Sequence, residues 1–208
     1  MNRSAAREEI QRLLGGRSDL SADINSGFQL EQIELEKRRP LPWFLESERS
    51  SIFTSSGEER VPVPSDFLAE VEDDALWYID AEGNETVLDK MFADEARVLY
   101  PDPGEPIAYN LQGNYFRLFP TPDDAYQLKL VYYQKGDVLS TDVENVWLLH
   151  EPNLLIARVG LRVARARQFD ERIIQNFADM VQAYTRNYEN NLEAREHANQ
   201  RYVMGGAD

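Results

Sequence analysis

The chain contains no cysteine among its 208 residues. Disulfides, a thiolate zinc site, a cysteine nucleophile and thiol redox chemistry are therefore excluded. Histidine is almost as scarce: His150 and His197 stand in different segments, and neither has neighbours at the ligand spacing a metal site needs. No run approaches the ~18 apolar residues that span a bilayer. The opening MNRSAAREEIQRLL lacks the apolar core of a signal peptide, so the chain is expected to be cytosolic when made, with no membrane partner. Walker-type glycine-lysine loops, GxGxxG, GxSxG and HExxH are all missing. These gaps remove the phosphate cradles, the common triads and zinc peptidases, and no catalytic residue, metal or cofactor is expected.

Basic residues are also in short supply, 22 against 37 acidic, for a net charge of -15. Residues 151–208 hold eight of each sign, so the whole excess lies in residues 1–150. That first part repels a polyanion such as DNA at long range, although solubility alone is a sufficient reason for the charge. At this length the chain fits one domain, or a core with one insertion, that buries roughly 70% of its unfolded surface.

Three regimes follow one another. Residues 4–14 place Ile10, Leu13 and Leu14 at helical spacing behind a Ser4 cap, and Gly15-Gly16 ends the element. Ser18-Asp19 can cap a second helix marked by Leu20, Ile24, Phe28, Ile33 and Leu35 and stopped at Arg39-Pro40; Gly27 opposes it, and a strand through Phe28, Leu30 and Gln32 is the rival. From Leu41 short alternating runs read as β: 51–54, 75–79, 86–88, 115–119 and 127–133. Turns at 80–84 and 120–124 bound several of them, and 115–119 with 127–133 forms the best hairpin. Residues 88–98 (LDKMFADEARV) read as a crossover helix.

After Pro152 the helical period returns. Residues 154–167 are apolar and arginine-rich, and Asp170 caps a run with Ile173, Phe177, Met180 or Val181, Tyr184, Tyr188 and Leu192 at steps of three and four. Helical from 171 to 199, this rod is about 44 Å long and outreaches a domain of this size. Residues 201–208 (RYVMGGAD) read as a flexible arm. The predicted architecture is α+β: a helical bundle from N-terminal helices (1–40) and C-terminal helices (151–200), a small antiparallel β domain (41–150) inserted between them, and an arm at 201–208.

Arg158, Arg162 and Arg165 stand at i, i+4 and i+7 on one helix face with no acid between them. Such a face can grip phosphate, the acidic surface of a neighbouring subunit, or the acidic inserted domain of its own chain. Glu70, Glu72, Asp73 and Asp74 form the densest acidic cluster; a glycosidase needs two carboxylates about 5 to 10 Å apart, but a solvated turn before Trp77 accounts for the same residues. The rings of Trp43, Phe44, Trp77 and Tyr78 lack the interleaved basic residues of a nucleic-acid stacking platform, and core packing is the expected role for most of them.

Three segments together form a pattern: Pro42-Trp43-Phe44-Leu45; then Val61-Pro62-Val63-Pro64-Ser65-Asp66-Phe67-Leu68; then Ala108 to Pro122 (AYNLQGNYFRLFPTP) running into Tyr126 to Tyr133. With them the chain resembles, over nearly its whole length, the head-to-tail adaptor (connector) proteins of tailed bacteriophages, the class that includes tail tubular protein A of short-tailed phages. The resemblance implies a structural subunit of the virion's head-tail junction, made in the host cytoplasm. It implies a ring of about twelve copies, a dodecamer, bound beneath the portal protein and offering a surface to the tail or nozzle protein. DNA would pass through the channel without specific binding. Candidate contacts to a neighbouring subunit or the portal are Arg158, Arg162 and Arg165 with Arg201, Tyr202, Val203 and Met204. Another phage tail-assembly or completion protein, or a tail-associated carbohydrate hydrolase using residues 70–74, are the alternatives.

Overall fold

The computed structural model describes residues 1–71, 74–139 and 145–204, with side chains of the last helix described through Arg195. Among the described residues there are six α-helices: α1 (Arg3–Leu13), α2 (Ser21–Glu36), α3 (Ala93–Leu99), α4 (Val146–His150), α5 (Pro152–Ala166) and α6 (Glu171–Met204). The strands are β1 (Glu46–Phe53), β2 (Arg60–Pro62), β3 (Phe67–Glu70), β4 (Leu76–Ile79), β5 (Glu85–Val87), β6 (Asp89–Lys90), β7 (Ala108–Gln112), β8 (Tyr115–Phe119) and β9 (Gln127–Gln134). The class is α+β, and the chain divides into a helical unit, residues 1–44 with 136–208, and an inserted β unit, residues 45–135. Residues 136–150, read from the sequence as part of the insertion, group with the helices.

In the helical unit the cap of α1 falls on Asn2, two residues before the expected Ser4: the Asn2 side chain accepts the Ala5 N–H at 3.0 Å. The exit is as read. Gly15 and Gly16 adopt φ of 80° and 78°, letting the Gly16 N–H reach the Gln11 carbonyl at 2.8 Å and the Gly15 N–H reach Arg12 at 3.2 Å. α2 is helical through Phe28, Leu30 and Gln32, so the rival strand does not form. Gly27 belongs there for packing: a Cβ on it would lie 2.9 Å from Val159 Cγ1 of α5. Pro152 opens α5 where its missing N–H is harmless, and Asp170 caps α6 by accepting the Arg172 N–H at 2.9 Å. The helix includes Arg201–Met204, which the sequence reading placed in the arm; residues 205–208 lie outside the described residues.

Ile10, Ile24, Phe28 and Leu35 from α1 and α2, Leu155, Val159 and Val163 from α5, and Phe177 from α6 are all buried. Gly160 lets α6 close on α5, since a Cβ there would fall 2.1 Å from the Phe177 ring. A buried polar knot marks the point where the chain returns from the insertion. One oxygen of Glu36 accepts the Gln32 amide (2.9 Å), the Gly136 N–H (3.0 Å) and the Trp147 indole N–H (3.1 Å). Three donors satisfy a carboxylate that burial alone would penalise.

The β unit contains two sheets, ordered β1-β9-β4-β5 with β3 also on β9, and β2-β8-β7-β6. All pairings are antiparallel except the two-residue β6–β7 pair. Leu76, Leu128, Leu130 and Tyr132 of the first sheet share one core with Val61, Tyr109, Phe116 and Leu118 of the second.

The expected hairpin between 115–119 and 127–133 does not form, because those strands lie in different sheets. β8 instead turns back on β7 through Gly113-Asn114, with Gly113 at φ 61°, as a two-residue loop with glycine first requires. The Pro120 to Asp124 segment carries the chain from one sheet to the other. The helix expected over 88–98 is also shorter, 93–99: the Asp89 and Met91 N–H groups bond Ile107 and Tyr109 carbonyls at 3.0 Å each, drawing 89–91 into a sheet.

Candidate functional site

The arginine face of α5 is the most concentrated charge in the helical unit, and α2 supplies its partner. Arg158 Nε donates to Glu31 Oε2 at 2.7 Å, and Arg162 Nε donates to Glu31 Oε1 at 2.6 Å. Glu31 is only 5% exposed. The sequence reading left the partner open between the inserted domain and a neighbour; within the chain, two of the three arginines meet Glu31 of the helical unit. Glu31 was legible in principle, since it falls on the buried Ile24, Phe28, Leu35 stripe of α2, where an acid requires a partner. Arg167 pairs with Asp23 of the same helix, Nε to Oδ2, at 2.7 Å.

Arg165 is different. It is exposed and, among the described residues, has no carboxylate partner. With Glu31, Arg158 and Arg162 it lines a cavity of about 490 Å³ whose other walls are Leu161, Ala166 and Val181. Three guanidiniums around one carboxylate leave this cavity two positive charges in excess. Of the remaining sequence-derived candidates, Arg201, Tyr202, Val203 and Met204 stand on the last turn of α6, and their side chains lie outside the described ones.

A second, aromatic pocket of about 380 Å³ lies where α4 and α6 meet the end of the N-terminal segment. Phe44 stacks on His150 with centroids 4.8 Å apart and meets Trp147 edge-on at 5.0 Å. The Arg195 guanidinium sits 3.9 Å from the centre of the Trp43 ring. Thus Phe44 and Trp147 are core, as expected of the aromatics, while Trp43 stays 40% exposed under a cation. Burial raises the Glu151 carboxyl above its ordinary value. Burial first, and then the nearby Glu151 carboxylate, raise the Tyr188 phenol.

In the β unit, Glu70 of the acidic cluster pairs with Lys90 at 2.6 Å, and the Trp77 indole N–H donates to the Asp74 carbonyl at 2.7 Å. Glu72 and Asp73 lie outside the described residues. Lys129 pairs with Glu85 and lies 4.8 Å from the Trp77 ring centre. The Arg117 guanidinium donates to Glu59 and holds that carboxyl below its ordinary value. Among the described residues no three His, Cys, Asp or Glu groups gather as metal ligands, and no helix is long and apolar enough to cross a membrane.

A helical unit made of the N- and C-terminal helices, with a twin-sheet unit inserted between them, defines an α+β protein. The chain belongs to the SU10 adaptor protein family, whose model matches residues 1–207; it is a phage adaptor protein. No curated protein matches it.

Proposed function

We propose that the chain is the repeating subunit of a ring at the phage head-tail junction. The ring binds the portal protein on one side, presents a surface to the tail or nozzle protein on the other, and continues the DNA channel without specific DNA contacts. About twelve copies is the number that the resemblance to head-to-tail adaptors implies, and a ring closes only where non-identical contacting faces repeat at a fixed rotation.

The observation that carries this reading is α6. At 1.5 Å per residue its 34 residues extend about 51 Å, more than twice the length of α5, on which it packs. Only Phe177 and Tyr188 are buried among its described side chains, while Ile173, Ile174, Val181, Tyr184 and Leu192 remain partly open. A helix that long, with an apolar stripe its own unit covers in part, is suited to lateral neighbours. The acidic excess supports the channel role, because a negative wall lets a polyanion slide.

Electron microscopy of the purified chain, alone and mixed with its portal, tests the reading. Light scattering should give a monomer or weak oligomer alone, and micrographs should show a ring on the portal. A stable closed ring without portal would overturn the assembly order, and no ring on the portal would overturn the function.

A further inference from the structure

We propose that the cavity around Arg165 is a socket for helix α3 of a second copy of this chain, an inference that rests on the ring reading.

The socket side has been described: two excess positive charges, an exposed Arg165 with no described partner, and apolar walls of Leu161, Ala166 and Val181. Glu31 cannot supply the missing charge, because its two oxygens are already taken by Arg158 and Arg162. A matching occupant must bring carboxylates and apolar side chains together. It must also reach in with side chains, which a cavity of about 490 Å³ admits.

One surface of the β unit has that composition. α3 and the residue before it expose Phe92 at 80%, Val98 at 81% and Leu99 at 56%. Ala96 is buried on Ala108 and Phe119, and Ala93 packs half-buried against the same cluster. Three large apolar side chains this open within eight residues offer a surface that a partner can cover. Among them stand Asp94 and Glu95, exposed and without a partner among the described residues, against the single cation Arg97. The unit that carries this knob holds 19 acidic and seven basic residues, a net -12 of the chain's -15. Long-range attraction therefore favours its approach to a basic socket. Knob and socket are different surfaces, so copies joined through them associate head to tail, the arrangement a ring requires.

The absence of cysteine permits a clean test. Two full-length variants, Ala166→Cys in the socket wall and Glu95→Cys on the knob, are mixed in equal amounts and treated with a short bis-maleimide. The mixed cross-linked dimer should exceed either like-with-like dimer several-fold. Arg165→Glu in the first variant should lower its yield by roughly tenfold, Arg165→Lys should largely preserve it, and Asp94→Arg in the second should partly rescue Arg165→Glu. Melting temperatures equal to the parent's establish that each variant is folded. Like-with-like dimers in statistical proportion, or a yield indifferent to Arg165→Glu, overturn the proposal. So does a duplex oligonucleotide that displaces the cross-link, which would reassign the socket to phosphate. Rings on the portal without this cross-link refute this contact and leave the ring reading standing; the absence of rings refutes that reading instead.

Discussion

Arg158 and Glu31 meet Nε to Oε2 at 2.7 Å with both side chains largely withdrawn from water, while Arg162 closes on the second oxygen of Glu31 from a half-open position. Removing the shared acid strands two cations. Glu31→Gln should therefore destabilise the chain by about 3 kcal/mol, whereas Arg162→Gln, on the open side, should change stability by less than about 1 kcal/mol. Urea unfolding midpoints measure both. Equal effects would show that the clamp is peripheral to folding.

The approach of α6 to α5 depends on Gly160. Because an alanine Cβ there would meet the Phe177 ring at 2.1 Å, Gly160→Ala should destabilise by about 1–3 kcal/mol through overpacking. Gly27→Ala, whose Cβ meets a Val159 methyl at 2.9 Å, should be milder. Reversal of that order in denaturant unfolding would contradict the helix contacts.

Glu151 gives a pH-dependent effect of defined sign. Its carboxyl is raised by burial, so the folded state holds its proton at pH values where the unfolded state has released it. Its contribution to stability falls as pH rises through the carboxylate range, and the ionised form is unfavourable at neutral pH. Glu151→Gln should accordingly raise the melting temperature at pH 7, with the gain disappearing in acid below the unfolded-state value. Thermal unfolding of both proteins at several pH values checks this; a gain that grew toward acid would reverse the assignment.

The last residues offer a test of the portal contact. A chain ending at Gln200 loses Arg201, Tyr202, Val203 and Met204 together with Gly205 and Gly206, and no buried side chain of the described set. It should keep the parent melting temperature and bind portal poorly in a pull-down or by surface plasmon resonance. Portal binding as tight as the full chain's would remove the segment from the interface.

Legibility in the sequence followed locality. Asp170 as a cap and Gly15-Gly16 as a stop are decided within a few residues, and both were readable. Gly27 looked like an argument against a helix because the reason for it, Val159, lies 132 positions away. The paired sheets were misjoined for the same cause: β8 and β9 are neighbours in sequence, yet the Gly113-Asn114 loop binds β8 to β7, and β9 is claimed by β1, β3 and β4. Of the candidate site, the arginine spacing was visible and its partner was not. A single buried acid among apolar positions on α2 decides which guanidiniums are engaged and which one is left over.

The Glu36 knot has a consequence for how such a protein can change. Since one oxygen gathers Gln32, Gly136 and Trp147, the place where the chain re-enters the helices is held by residues of the helical unit. Turns of the insertion, such as Asp80 to Asn84, contribute nothing to the contacts of Glu36 with Gln32, Gly136 and Trp147. A substitution that places a side chain at Gly136 would disturb that junction, because the space for it is filled by Gln32, Glu36 and Trp147.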